Sequence, residues 1–439
     1  MRHTYLTVDL GFGDAGKGSV VDYLARAREA HTVVRYNGGA QAAHRVVTQG
    51  GREHVFAQFG SGALAGAATH LSRFMLLDAL AMVEEERHLC SLGVADSWER
   101  TTIDRRALVI TPFQRAANRL QELARGDGRH GSCGLGVGET MVDFLAHGER
   151  SLFAGDLHDA DALRAKLRFL RAANLQKVRH LPPAALASPQ ASAEFAALLD
   201  DELLDALVDD YRAFARAARI VEGDHLHAIL ARPGAVVFEG AQGALLDEWR
   251  GFHPHTTWST TTLANAELLL REAGYDAAVE RVGITRAYAT RHGAGPLPTE
   301  DDGLTRLLPD ACNAHGQWQG GFRVGWLDLV LLRYARDVVG PLDWLAVTCL
   351  DRLRDLPEIK LCDAYRYDTL LVERIVPSPA PQDLEYQQRI THAFARCAPM
   401  LEAAPDAGAL LARVEAALGV RVGLVSEGPT AEDKRFIAA

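Results

Sequence analysis

Short, largely apolar runs alternate with longer stretches of helical spacing along the chain. Tyr5–Leu10, Thr32–Arg35, Ala235–Glu239, Trp344–Thr348 and Arg421–Val425 have strand length and few polar positions, the signature of strands covered on both faces of a sheet. Asp156–His180 and Ser192–Arg219 instead repeat Leu, Ala and Arg at helical spacing. That spacing predicts amphipathic helices turned to a core, and with them a helical insert at about residues 156–232. No repeat, low-complexity tract or Pro/Ser-rich linker divides residues 1–439, so one elaborate domain is expected. The alternation predicts an α/β fold with a large, mostly parallel central sheet. Gly and Ser concentrate at the strand ends, where an open α/β sheet takes its ligands.

Composition narrows the function classes. A hydrophobic share of 48% in 439 residues supports a sizeable core. The net charge of -10, with no basic run, argues against a protein that covers nucleic acid phosphates. Six cysteines are scattered without a C-x-x-C pair, which suggests neither a structural zinc site nor a disulfide framework and fits a reducing compartment. Met1-Arg2-His3-Thr4 leads straight into strand residues, and no run reaches membrane-spanning length. A cytoplasmic protein without a membrane partner is the expectation.

The candidate chemistry begins where the first strand ends. Val8-Asp9-Leu10-Gly11-Phe12-Gly13-Asp14-Ala15-Gly16-Lys17-Gly18-Ser19 runs from an apolar strand into a P-loop-like glycine turn with an acid and a lysine. Glycines let successive N–H groups converge on phosphate oxygens, and the helix that follows offers its positive end. Lys17 is the only lysine before Lys166 in an arginine-rich chain, which points to a position that needs a compact ammonium. By itself the loop fits either a nucleotide cradle or a tight structural turn.

Three later segments share its character. Arg35 to His44 follows a strand and brings glycines, Asn37, Gln41 and one histidine into a small-residue loop; such a histidine faces a ligand or is a satisfied loop side chain. Phe238 to Asp247, with Gln242, precedes a hydroxyl-rich turn from His253 to Thr262. An amide and a hydroxyl placed there can hold a ring carbonyl and a phosphate, although a threonine run also makes an ordinary solvated turn. Thr290 to Glu300 is too rich in Gly and Pro for a regular element and must be a shaped loop.

In order and content these segments resemble the adenylosuccinate synthetase family. Its G-D-E-G-K-G-K, G-G-x-N-A-G-H, E-G-A-Q-G with a downstream threonine, T-R-x-G-A-G-P-F-P-T-E, G-W-L-D, K-L-D and S-x-G-P motifs stand here in sequence. They correspond to Gly13–Ser19, Gly38–His44, Glu239–Gly243 with Thr257, Thr290–Glu300, Gly325–Asp328, Cys349–Asp351 and Ser426–Pro429. The resemblance implies a carbon–nitrogen ligase that moves the γ-phosphate of GTP to the 6-oxygen of a purine nucleotide, after which an amine displaces it. Asp14 matches the acid that removes the ring N1 proton, and His44 the histidine that stabilises the transferring phosphoryl group. Lys17 matches the phosphate lysine. Mg²⁺ would be held by Asp14 and the backbone carbonyl of Ala43. Gly13, Gly16, Lys17, Gly18 and Ser19 would cradle the cosubstrate's phosphates, and Asp351, Ser426, Gly428 and Pro429 would meet its base. Gln41, Ser132, Cys133, Gln242, Thr257 and Arg323 would line the purine nucleotide and amine sites. A homodimer is implied as well.

The departures cluster on the substrate side. The family's arginine-rich loop for the two carboxylates of aspartate reads Gly316-Gln317-Trp318-Gln319-Gly320-Gly321-Phe322-Arg323 here, with Arg323 alone retained. A charge-assisted hydrogen bond from an arginine to a carboxylate is worth about 1.5–3 kcal/mol, so each missing arginine weakens the grip on a dicarboxylate. G-T-T-G-R-G-I-G is replaced by Gly131-Ser132-Cys133-Gly134-Leu135-Gly136-Val137-Gly138, and an arginine that crosses the dimer interface falls near His147. In the glycine loop the family's Glu is Ala15 and its last lysine is Ser19; K-L-D is Cys349-Leu350-Asp351. Asp351 favours GTP, with ATP the rival. Three readings follow. They are a synthetase using aspartate, a paralogue with the same activation but another oxopurine-like substrate or amine, and a non-catalytic nucleotide-binding regulator. Asp14, Lys17 and His44 together speak against the last, since a binding module has no need of the acid and the histidine.

Overall fold

The computed structural model describes residues 1–437 other than 130, 311–312, 314–317 and 319. Ten strands form the central sheet: β1 (Arg2–Asp9), β2 (Ala30–Arg35), β3 (Ala68–Leu71), β4 (Thr101–Asp104), β5 (Arg219–Val221), β6 (Gly234–Glu239), β7 (Ala278–Arg286), β8 (Trp344–Thr348), β9 (Val422–Ser426) and β10 (Lys434–Phe436). Their order is β10-β9-β8-β7-β1-β6-β2-β3-β4-β5. All pairings are parallel except β9 with β10. The expected α/β class with a large, mostly parallel sheet is therefore the observed one.

Helices cover both faces, and the alternation of side chains along each strand divides the core. Leu6 and Val8 of β1 join Val34, Phe238, Leu345 and Val347 on one face, together with the helix Leu329–Val339. Tyr5 turns to the other face with Val33, Val237, Ile284 and Ala346. There it meets Val20, Val21 and Leu24 of α1 (Lys17–Ala27). Central strands lined on both sides must be apolar nearly throughout, which is why they were legible. The short strands β3, β4, β5 and β10, and β7 with its Glu280 and Arg281, lacked that signal.

Residues 156–232 contain the helices Ala160–Val178, Pro189–Leu199, Asp201–Ala217 and His225–Ala231, and also the edge strand β5. With Pro112–Arg125 the first three enclose a second core of Leu120, Leu163, Leu167, Leu207 and Tyr211.

One buried acid in this scaffold carries a stability prediction. Asp328 caps the helix Leu329–Val339 by accepting the Leu331 N–H at 3.0 Å, and it accepts the Tyr365 hydroxyl at 2.6 Å. Burial outweighs these hydrogen bonds and pushes its carboxyl up to about 6. A carboxyl with a raised folded value favours the fold most below its unfolded value of 3.8, and that contribution is lost as pH rises through 6. Asp328→Asn keeps a capping oxygen and cannot ionise. The stability difference between wild type and this variant is expected to move against the wild type by on the order of 2–3 kcal/mol between pH 4 and 7, measured by urea denaturation.

Candidate active site

The loops that follow β1, β2, β6, β7, β8 and β9 gather at the carboxyl ends of the strands. β1 lies between β6 on one side and β7 on the other, so its glycine loop opens at the centre of the sheet. Gly13, Asp14 and Gly16 have φ of 93°, 59° and 82°, the left-handed region that glycine enters freely and Asp tolerates. α1 then starts at Lys17 with no side-chain cap and no acid in its first turn, leaving its N-terminus to a ligand or to the loop itself.

Close backbone approaches lock the other loops onto this one. A Cβ on Gly18 would stand 2.8 Å from the Cβ of His44, and a Cβ on Gly243 would stand 2.4 Å from the amide of Gly13. Thr348, at the end of β8, donates to the Ala15 carbonyl at 2.9 Å. Asn37 ties three segments together: its Nδ2 donates to the Thr260 carbonyl at 2.9 Å and its Oδ1 accepts the Ala241 N–H at 2.7 Å. The glycine, histidine and amide loops, the hydroxyl turn and the Cys349–Asp351 segment thus form one site. Gly18→Ala drives a methyl into the backbone of His44, and overpacking of that kind costs about 1–3 kcal/mol. The variant should lower both the melting temperature and kcat, by calorimetry and steady-state assay.

His44 is buried, with 7% exposure, and its Nδ1 lies 2.7 Å from Glu239 Oε1 at the end of β6. Burial pushes the imidazole pKa down, and Glu239 opposes that push. Burial also works against ionisation of Glu239, but Arg35, His44 and the Ser61 hydroxyl hold its carboxyl down to about 2. Glu239 is therefore a carboxylate that accepts the Nδ1–H of His44, and Nε2 is left for a ligand. Ser61 adds its N–H to Glu239 Oε2 at 2.9 Å and its hydroxyl to Oε1.

The remaining candidates take distinct places. Asp14 gives its backbone carbonyl to Arg286 Nε, while its carboxylate accepts no hydrogen bond from any described residue. Arg286 also reaches the Tyr288 hydroxyl at 3.2 Å and Asp310 at 3.3 Å. Burial works against its charge, but the neighbouring Cys349, Tyr288, Asp14 and Asp310 raise its pKa above the ordinary arginine value. Lys17 meets Asp9 at 2.7 Å, and Ser19 turns its hydroxyl back to the Gly16 carbonyl at 3.0 Å. Among the described residues, both polar atoms of the Gln41 amide and the Oε1 of Gln242 are buried without a partner, a state that a bound polar ligand relieves. Thr257 is half-buried next to exposed Trp258, which packs on Gly138. Ser132 accepts from Asn118 at 3.1 Å, and burial raises the Cys133 thiol. On the cosubstrate side, Asp351 is half-buried, and Ser426 donates to the Gly428 carbonyl at 3.0 Å beside Pro429.

The two arginines nearest the amine side are committed to the loop. Arg323 donates to the carbonyls of Gly293 at 2.7 Å and Gly295 at 2.8 Å, and pairs with Glu300 at 2.5 Å. Arg291 donates to the carbonyls of Ala294, Pro296 and His255, and burial lowers its pKa to about 9. Gly316, Gln317 and Gln319 lie outside the described residues. No group of three or more His, Cys, Asp or Glu side chains suited to a metal occurs among the described residues. The donors on offer, one free carboxylate on Asp14 and the carbonyl of exposed Ala43, suit Mg²⁺, which takes few protein oxygens and shares the rest with phosphates and water.

A glycine loop with an acid and a lysine, a carboxylate-bound histidine and unpartnered amide atoms on a parallel sheet suit an α/β enzyme that binds a nucleotide. Comparison with known proteins agrees. The adenylosuccinate synthetase family profile matches residues 7–435. The adenylosuccinate synthetase of Desulfovibrio desulfuricans is 32% identical over 436 residues, covering 96% of this chain and 97% of its own. That of Thermosynechococcus vestitus is 34% identical over 91% of this chain and 83% of its own. The chain belongs to the adenylosuccinate synthetase family and is a GTP- or ATP-dependent carbon–nitrogen ligase. Two solved structures share the fold. Fully ligated adenylosuccinate synthetase of Plasmodium falciparum superposes with a TM-score of 0.79 at 20% identity, over 99% of both chains. Succinoaminodeoxyadenylate synthetase of cyanophage S-2L, bound to dGMP and dATP, gives 0.62 at 17% identity, over 99% of this chain and 95% of its own. No helix among the described residues is long and apolar enough to cross a membrane.

Proposed function

We propose that the protein transfers the γ-phosphate of GTP to the 6-oxygen of a 6-oxopurine nucleotide and replaces that phosphate with the amine of aspartate. The observation that carries this reading is the convergence of Asp14, Lys17 and the His44–Glu239 pair on one glycine loop. The Asp14 carboxylate, which accepts from no donor among the described residues, takes the N1 proton of the purine. The 6-oxygen, made nucleophilic by that loss, attacks phosphorus. His44, protonated at Nε2 from solvent as the triphosphate's charge arrives, donates to the phosphoryl group, and Glu239 on the opposite nitrogen supports the imidazolium. Mg²⁺ held by Asp14 and the Ala43 carbonyl would neutralise phosphate charge. The unpartnered amides of Gln41 and Gln242 supply hydrogen bonds to the purine nucleotide, and the Thr257 hydroxyl and Ser132 serve its phosphate. Asp351, with Ser426, Gly428 and Pro429, receives the guanine. The same reading carries a cytoplasmic homodimer with it.

A second reading keeps the activation step and changes the amine. It is favoured by Arg291 and Arg323, whose guanidinium groups are taken by loop carbonyls and Glu300 rather than left open for a dicarboxylate. The experiment is phosphate release with Mg²⁺ and GTP or ATP across IMP, dGMP and inosine, with and without aspartate, products being identified by mass. Aspartate-dependent adenylosuccinate from IMP is the expected result. Phosphate release without incorporation of aspartate selects the second reading, and no release with any pair overturns both.

A further inference from the structure

Asp9 puts a carboxylate at the point where the donors of the glycine loop converge. Its Oδ1 accepts the Gly11 N–H at 2.7 Å, and its Oδ2 accepts the Ala15 N–H at 3.0 Å and the Lys17 ammonium at 2.7 Å. The Asp9 side chain is fully buried and that of Lys17 is 3% exposed. Two backbone N–H groups and a lysine around one anion is the donor set with which such loops take a phosphate. In the free protein that set is filled from within.

We propose that Asp9 is an internal competitor for the nucleotide's phosphates, holding Lys17 in the free protein and releasing it when phosphoryl oxygens arrive, so that Asp9 sets nucleotide affinity. The proposal rests on the phosphate-cradle reading of the loop given above. A purely structural pair is a poor account of these contacts, since a buried ion pair gains little over apolar packing, and this one uses the lysine and amides that the cosubstrate needs. Charge in the loop points the same way. The loop carries two acids, Asp9 and Asp14, and one lysine, with Ala15 and Ser19 bringing no further charge, so a bound triphosphate must win Lys17 from the Asp9 carboxylate already in contact. There is also room for the exchange. Asp9 lines a cavity of about 40 Å³ together with Thr285, Arg286 and Tyr288, space for a water or a turned carboxylate beside a second cation.

Binding of a non-hydrolysable GTP analogue with Mg²⁺ is measured by calorimetry on the full chain and on Asp9→Asn. Asparagine keeps the shape and one acceptor oxygen while removing the charge. With the competing charge gone, binding should tighten by about tenfold or more. Equal or weaker binding by the folded variant, with the wild type binding normally, overturns the role of Asp9 and leaves the ligase reading intact. Failure of both proteins to bind the analogue overturns the cradle reading, and this proposal with it. Should Asp9→Asn not fold, a crystal structure of the wild type with the same analogue decides. Lys17 Nζ is expected within about 3 Å of a phosphate oxygen and beyond about 4 Å from Asp9. An intact Asp9–Lys17 pair beside bound phosphates overturns the proposal.

Discussion

Asp14→Asn is expected to lower kcat by on the order of 10³-fold or more while leaving the KM for GTP within about a few-fold of wild type. The substitution is chosen so that the loop survives it. Asp14 holds φ of 59°, a region that asparagine occupies at least as readily as aspartate, and its anchor is the backbone carbonyl bound by Arg286 rather than the side chain. What disappears is the base. A neutral amide cannot take the purine N1 proton, and without that loss the 6-oxygen is a carbonyl oxygen of little nucleophilicity. The amide is also a weaker oxygen ligand for Mg²⁺, so the metal concentration at half-maximal rate should rise. Single-turnover transfer from radiolabelled GTP checks the step directly, and a rate within about tenfold of wild type would remove Asp14 from the role of base.

Much of this site was legible because its parts are local. Each loop is glycine-rich and follows directly on a strand, and backbone geometry explains why: Gly13 and Gly16 sit in the left-handed region, and Gly18 and Gly243 lie where a side chain would strike the neighbouring loop. The pairings between loops were not legible. Glu239 stands 195 residues from His44 and Asp9 eight residues from Lys17, and no spacing rule says that either pair will meet. A histidine among small residues was open to two accounts, and the structure shows the satisfied side chain, with Nδ1 met by Glu239 and the ring largely buried. Arg286 left no motif at all. It is the last residue of β7, a strand the sequence did not announce, and only the register of β7 beside β1 brings it to the Asp14 carbonyl. Glu239 carried the one signal that could have been used: an acid closing an otherwise apolar strand, Gly234–Glu239, is costly to bury unless it is paired.

That pairing makes Glu239→Gln the second large prediction, a fall in kcat of about 10²–10⁴-fold. Glutamine can offer Oε1 to His44 Nδ1–H, but it brings no charge to an imidazole that must become cationic as phosphoryl charge develops. Its amide hydrogens also face the Ser61 N–H, which donates to Oε2 of the carboxylate. Burial already pushes the His44 pKa down and Glu239 opposes that push, so removing the carboxylate lowers it further. The alkaline limb of the kcat profile should therefore move to lower pH, a shift that a merely loosened loop would not produce. Stability responds with its own sign. The folded carboxyl lies at about 2 against an ordinary 4.5, so its contribution is present above pH 4.5 and is lost as pH falls toward 2. The decisive comparison is the double variant. If Glu239 acts through His44, then His44→Ala with Glu239→Gln turns over no more slowly than His44→Ala alone. Additive losses would mean that Glu239 serves the reaction by a separate route, through Arg35 and the strand end it neutralises.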